Sequence, residues 1–279
     1  HGNPFGKLIK YSTETNEVLD ETTLGLFPAS MQVSTTTGFL YCVNFNLHGS
    51  MKPSTVSVVD PVTMTEITTI KTGSMPHGSR LSPNGLFQYS VAMMSGELFE
   101  IDALDLKVNR VLDLEEKMMK SMDGMKSMDG MKHSMVKPTW VIPHPKENIA
   151  YIAGNGSNEV IEVNLDKWEV SDRFKTGKGP YNLEITPNGK LLIGTIKSEG
   201  KTAIWNLENK QELAVIKNTT SVSHGIAISS DSKYAFISVE GIGGEPGIVD
   251  VIDLNSYELV SSVKVGKQAG GIAFWKKEI

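Results

Sequence analysis

The chain has 279 residues, 39% hydrophobic and 21% charged, with a net charge of −5. That length allows one large domain or two small ones, and the mild acidity gives no electrostatic reason to expect nucleic acid or an anionic membrane surface. No run approaches the ~18 apolar residues of a membrane span, and the single cysteine, Cys42, excludes an intrachain disulfide framework.

The first residue is His1 rather than Met. A chain that starts this way is expected to have lost a signal peptide, which places it in a periplasm or outside the cell. "GKLIKYST" (6–13) and "EVLDETTLG" (17–25) follow as two predicted strands. From residue 26 onward a unit recurs. "LFPASMQVSTTTGFLYCV" (26–43), "MPHGSRLSPNGLFQYSV" (75–91), "VKPTWVIPHPKENIAYIA" (136–153), "KGPYNLEITPNGKLLIGT" (178–195) and "SVSHGIAISSDSKYAFIS" (221–238) share one frame. Each has a turn-forming start, an alternating strand, a polar turn and a second strand. A third strand ending in Asp or Asn comes next: "TVSVVDP", "ELFEIDA", "EVIEVNL", "TAIWNLE", "VDVIDLN". A fourth alternates β-branched and charged residues, as in "TEITTIKTG", "EVSDRFKTG" and "ELVSSVKVG". Four strands in roughly 40–45 residues is the signature of a propeller blade.

The pattern resembles the YVTN-type β-propeller repeat, in which an alternating strand and an S/T-P-D-G turn lead into a strand ending in Asp. The resemblance covers nearly the whole chain. It implies an all-β fold, a single β-propeller domain over 1–279. Inner strands near 27, 75, 136, 179, 221 and 268 give six blades, with seven as the alternative count. The C-terminal "QAGGIAFWKKEI" is expected to join the two N-terminal strands in a composite blade that closes the ring. The resemblance says little about activity, because propellers host many functions.

Strands of a meander run alternately up and down. Loops from an outer strand to the next inner strand therefore open on one face, together with loops between second and third strands. On this rule His77 ("PHG") and His224 ("SHG") occupy equivalent points three blades apart, where the other blades carry Ala29, Thr139, Tyr181 and Gly270. His48 and His133 are expected on the same face, and His144 on the opposite one. Trp140 and Tyr181 are expected to wall the rim.

Between residues 114 and 135 an outer-to-inner loop is enlarged. Its "MMKSMDGMKSMDGMKHSM" (118–135) repeats KSMDGM and places methionines at 118, 119, 122, 125, 128, 131 and 135. Methionine normally fills gaps in cores, yet here it alternates with Lys, Ser, Asp and Gly. Thioethers are soft ligands that select Cu(I), and imidazoles suit Cu(II). The M-x-x-M spacing resembles the methionine-rich segments of copper and silver handling proteins. The expected cofactor is therefore copper. Its expected ligands are His1, His77, His224, His48 and His133, with Met119, Met122, Met125, Met128, Met131 and Met135. The amine and ring of His1 resemble the histidine brace of copper proteins. The expected partner beyond the ion is a copper-delivery or acceptor protein.

The sequence contains no G-x-S-x-G elbow, H-E-x-x-H, CxxC or P-loop. Asp60, Asp102, Asp250 and Asp253 read as carboxylates that build the repeat. Copper sequestration, delivery or tolerance is the leading expectation. A copper-dependent redox enzyme and a metal-free interaction scaffold are the alternatives.

Overall fold

The structure, a computed structural model, describes residues 5–115 and 133–276. Two compact units are distinguishable, His1–Val141 and Ile142–Ile279. The described residues form strands throughout, apart from one turn of 3-10 helix at Lys197–Glu199.

In the first unit β1 (Phe5–Tyr11) and β2 (Val18–Leu26) make a two-stranded antiparallel sheet. A four-stranded meander follows, of β3 (Pro28–Val33), β4 (Leu40–Asn44), β5 (Pro53–Asp60) and β6 (Thr65–Ser74). The next meander contains β7 (Pro76–Leu81), β8 (Phe87–Ala92), β9 (Glu97–Asp102) and β10 (Lys107–Asp113). The unit boundary falls within β11 (Pro138–Pro143), which heads the sheet completed by β12 (Ile149–Gly154), β13 (Glu159–Asn164) and β14 (Glu169–Lys175). The second unit holds two more meanders. One is β15 (Pro180–Ile185), β16 (Leu191–Ile196), β17 (Lys201–Asn206) and β18 (Glu212–Lys217); the other is β19 (Val222–Ile228), β20 (Tyr234–Glu240), β21 (Ile248–Asp253) and β22 (Glu258–Lys264).

Burial differs sharply between strands. Every residue of β4 is buried, whereas every residue of β22 is exposed. A strand covered on both faces reads as a continuous apolar run, and one covered on a single face reads as an alternation. "LYCVN" is the first pattern, whereas "ELVSSVK" is covered on neither face. In the first unit Tyr41, Val43, Val56, Val58, Ile70, Leu81 and Ile101 pack into one cluster between adjacent sheets. In the second unit Ile193 and Ile204 pack with Ile226, Ile237, Val239 and Ile252.

Two turns explain why the unit repeats. Between first and second strands, the N–H of Ser34, Ser82, His144, Thr186 and Ser229 each donates to the carbonyl five residues on. The side chain at that position then accepts backbone N–H groups, as Ser34 does from Thr36 and Thr37, and Ser229 from Lys233 and Tyr234. Between third and fourth strands, an Asp or Asn side chain folds the chain back. Asp60 accepts from Val62 N–H, Asp102 from Leu104, Asn164 from Lys167, Asn206 from Glu208 and Asp253 from Asn255, all at 2.7–2.8 Å. Four residues further on, Met64, Leu106, Trp168, Lys210 and Tyr257 lie in the left-handed region, with φ of 53°, 53°, 55°, 59° and 59°. The turn requires that conformation, and each chain segment adopts it without glycine. Asp250 is fully buried and accepts from Thr219 N–H at 2.8 Å and Ser262 Oγ at 2.7 Å.

A third recurrence marks the entry to every inner strand except β19. Phe27, Met75, Lys137, Gly179 and Gln268 all have positive φ, two residues before Ala29, His77, Thr139, Tyr181 and Gly270. The last of these, at Gln268, repeats the turn, but residues 265–276 form no strand. Instead this segment lies against β19 and β20. Ser238 Oγ donates to the Gly270 carbonyl at 2.6 Å, and Phe274 stacks on Phe236 at 6.2 Å.

Candidate functional site

The positions two residues past the entry turn, together with His224 at the register-equivalent place in β19, carry the chemistry. Their backbone carbonyls are acceptors for neighbouring elements. The His77 carbonyl accepts from Ser30 Oγ at 2.8 Å, and the His224 carbonyl from Thr195 Oγ1 at 2.9 Å. The Thr139 carbonyl faces His77 Nδ1 at 2.7 Å, and the Gly270 carbonyl faces His224 Nδ1 at 3.0 Å. A carbonyl can only accept, so Nδ1 of both rings carries the proton. In the neutral ring the lone pair then lies on Nε2. This is how metal-binding histidines are commonly oriented. It is also an ordinary structural bond, and its recurrence at equivalent positions belongs to the repeat.

The two histidines differ in surroundings. His77 is 6% exposed, and Phe45 and Trp140 both meet its ring edge to face, at 4.6 and 6.5 Å. Arg80 lies over the Trp140 ring at 4.4 Å. His224 is partly exposed and sits among ionisable groups. Its ring lies 4.7 Å from that of Tyr181, and its Nε2 is 3.6 Å from Glu240 Oε1. Lys197 Nζ approaches Glu240 Oε2 at 3.7 Å and lies 4.0 Å over the Tyr181 ring. Burial lowers the Lys197 pKa, opposed by the Glu240 carboxylate. Burial raises that of the Tyr181 hydroxyl, and the charge of Glu240 adds to the effect.

The remaining candidates are dispersed. His48 is exposed in the turn after β4, at φ 67°. His133 and Met135 are exposed, Met135 at 60%. His1, Met119, Met122, Met125, Met128 and Met131 lie outside the described residues. Among the described residues no group of three or more His, Cys, Asp or Glu side chains could hold a metal ion. Cys42 is fully buried, and burial pushes its thiol up to about 12. It therefore lacks the thiolate that metal binding needs. His144 is a turn residue: Nδ1 accepts from Lys146 and Glu147 N–H, and Nε2 donates to the Gly189 carbonyl at 3.1 Å.

The base of the methionine-rich segment is well defined. Glu115, 4% exposed, accepts from Ser134 Oγ at 2.7 Å and from Val136 N–H at 2.9 Å. Ser134 N–H donates to the Met94 carbonyl at 2.9 Å. Half-buried Met93 and Met94 thus stand beside the point where the segment leaves and returns.

Lys197 and Glu240 are the residues that following histidines alone overlooks. Glu240 closes the second strand β20 and Lys197 directly follows the second strand β16, the place that Phe45 holds after β4. The strand frame locates that position, but nothing in the local sequence distinguishes these two from solvated charges.

Five four-stranded meanders in series, joined by one repeated set of turns, define a β-propeller fold with six blade frames. Solved structures share it. A functionally unknown protein from Desulfotomaculum acetoxidans aligns with a TM-score of 0.71 at 14% identity, over 93% of this chain and 77% of its own. Kuenenia stuttgartiensis hydrazine synthase aligns with a TM-score of 0.67 at 20% identity, over 89% of this chain and 71% of its own. At these identities the likeness is one of fold. No family model and no curated protein sequence matches the chain.

Proposed function

We propose that the protein is an exported copper-binding β-propeller of the YVTN-repeat type, which sequesters copper or passes it to an acceptor protein. The observation that carries this reading is the repeated KSMDGM segment, whose thioethers alternate with polar residues. A thioether has no proton to lose and prefers Cu(I). Methionine is also prone to oxidation, so a row of them set among polar residues in the sequence calls for a use. The bond from Ser134 Oγ to Glu115 supports the reading, because it ties together the two flanks of the segment. Exposed His133 and Met135 extend the donor set at its exit. For Cu(II) the imidazoles are the ligands, and partly exposed His224 suits this better than enclosed His77.

The test is a Cu(I) titration against a chromophoric chelator, on the full chain and on a variant with Met118, Met119, Met122, Met125, Met128, Met131 and Met135 all replaced by Leu. The variant is expected to take up fewer Cu(I) ions with an unchanged melting transition of the metal-free protein. Equal uptake by both proteins rejects copper capture by the segment and favours the metal-free scaffold.

A further inference from the structure

We infer that Asn155–Gly156, in the turn between β12 and β13, is a site of spontaneous deamidation whose product loosens the entry to β15. The chain has three Asn–Gly pairs, beginning at Asn84, Asn155 and Asn188. Glycine after asparagine favours this chemistry, because no Cβ hinders ring closure. No metal ligand is involved, so copper binding and this modification stand or fall separately.

The step is intramolecular. The Gly156 amide nitrogen loses its proton and attacks Asn155 Cγ, and the Cγ–Nδ2 bond breaks. Nδ2 leaves as ammonia, taking up that proton. Water then opens the succinimide to an aspartyl or an isoaspartyl residue. Ring closure requires the peptide between Asn and Gly to turn toward the side chain. Bonds that hold this peptide therefore slow the reaction.

Two of the three peptides are held at both ends. The Gly85 N–H donates to the Ser82 carbonyl at 2.8 Å, and the Asn84 carbonyl accepts from Thr36 Oγ1 at 2.5 Å. The Gly189 N–H donates to the Thr186 carbonyl at 2.7 Å, and the Asn188 carbonyl accepts from Lys146 Nζ at 2.8 Å. Their side chains are fixed as well. Asn84 Oδ1 accepts from Ser82 Oγ and the Leu86 N–H, and Asn188 Oδ1 from Thr186 Oγ1 and the Lys190 N–H. Asn155–Gly156 differs. Among the described residues, neither the Asn155 carbonyl nor the Gly156 N–H has a hydrogen-bond partner, and Gly156 is exposed to water.

The change falls on a seam between two meanders. Asn155 Nδ2 donates to the Pro180 carbonyl at 3.1 Å, and Asn158 Oδ1 of the same turn accepts from the Gly179 N–H at 2.9 Å. Deamidation replaces the Nδ2 donor by a carboxylate oxygen, which can only accept. The bond to Pro180 becomes a repulsion. An isoaspartyl product also adds a carbon to the backbone of the turn. Pro180 immediately precedes Tyr181, whose ring lies 4.7 Å from that of His224. Ageing at one asparagine thus reaches the rim of the candidate site.

The experiment incubates the full chain at mildly alkaline pH, folded and in urea, and follows each Asn–Gly pair by peptide mapping. Each folded-state rate is divided by the same pair's rate in urea, which removes the effect of flanking residues. Asn155 should keep a share of its unfolded rate about tenfold or more above those of Asn84 and Asn188, since two hydrogen bonds hold each of the other peptides. Asn155→Asp should lower the melting temperature. Asn84→Asp keeps an acceptor where one is used and should melt like the native chain. Protection of Asn155 equal to or greater than that of Asn84 or Asn188 overturns the site. Native melting of Asn155→Asp overturns its effect on the β15 entry.

Discussion

At the scale of single residues, environment rather than residue type sets the chemistry. Cys42 is the chain's one thiol and fully buried, with its pKa pushed up to about 12 by desolvation. It should resist alkylation at neutral pH until the fold opens. Mass-spectrometric labelling with iodoacetamide, with and without denaturant, checks this; rapid labelling of the native chain would contradict the burial. The three internal histidines engaged in the repeat illustrate the same point. "PHG" and "SHG" were readable as equivalent positions because the frame around them is regular. That one ring is packed by Phe45 and Trp140 and the other faces Glu240 was not readable. Those neighbours come from other strands, at separations that no local pattern encodes. His144 was readable as a turn residue, since it stands where other blades have Ser or Thr.

At the scale of elements, the repeat is legible wherever a turn demands a particular side chain. Asp60, Asp102 and Asp253 end their third strands with a carboxylate that accepts backbone N–H groups, and Asn164 and Asn206 do so with an amide. The left-handed residues four places on were not legible, because Met, Leu, Trp, Lys and Tyr carry no sign of positive φ. At the C-terminal frame "KQAGG" repeats the entry turn, yet no strand follows through residue 276. A prediction concerns the clamp at the methionine segment. Glu115→Ala leaves Ser134 Oγ and the Val136 N–H without their buried acceptor. The expected loss is about 1–3 kcal/mol per orphaned group. Replacing residues 118–131 with a short Gly-Ser linker should change stability by only about 0.5 kcal/mol, since closure entropy varies slowly with loop length. Urea unfolding of both variants decides whether the clamp or the segment matters to the fold.

At the scale of the whole molecule, the turn carboxylates act together on acid stability. Asp60 is held below the usual carboxylate range chiefly by the Val62 N–H, Asp253 by the Asn255 N–H and Glu199 by the Lys178 N–H. A carboxyl depressed in the folded state stabilises it above the unfolded value, near 4. That contribution is lost as pH falls through the depressed folded value. The melting temperature should therefore hold between about pH 7 and 5 and fall below about pH 4. Asp60→Asn with Asp253→Asn should fold with the same turns, as Asn164 and Asn206 already do, and show a shallower acid limb in calorimetry. An unchanged limb would mean that other carboxyls dominate.

The carbonyls at these equivalent inner-strand positions have a consequence for how such a chain can diversify. Those of His77, Thr139, His224 and Gly270 all accept hydrogen bonds from side chains of neighbouring elements. The backbone supplies the acceptor at each, while the donor is a hydroxyl for His77 and His224 and the histidine ring of the preceding such position for Thr139 and Gly270. Ala, His, Thr, Tyr and Gly all occupy these positions within this one molecule. A protein grown by duplicating a single unit thus acquires a series of interchangeable sockets. Each copy can drift toward its own ligand chemistry while the seams between copies stay closed, and a designer could graft new donors into the same sockets.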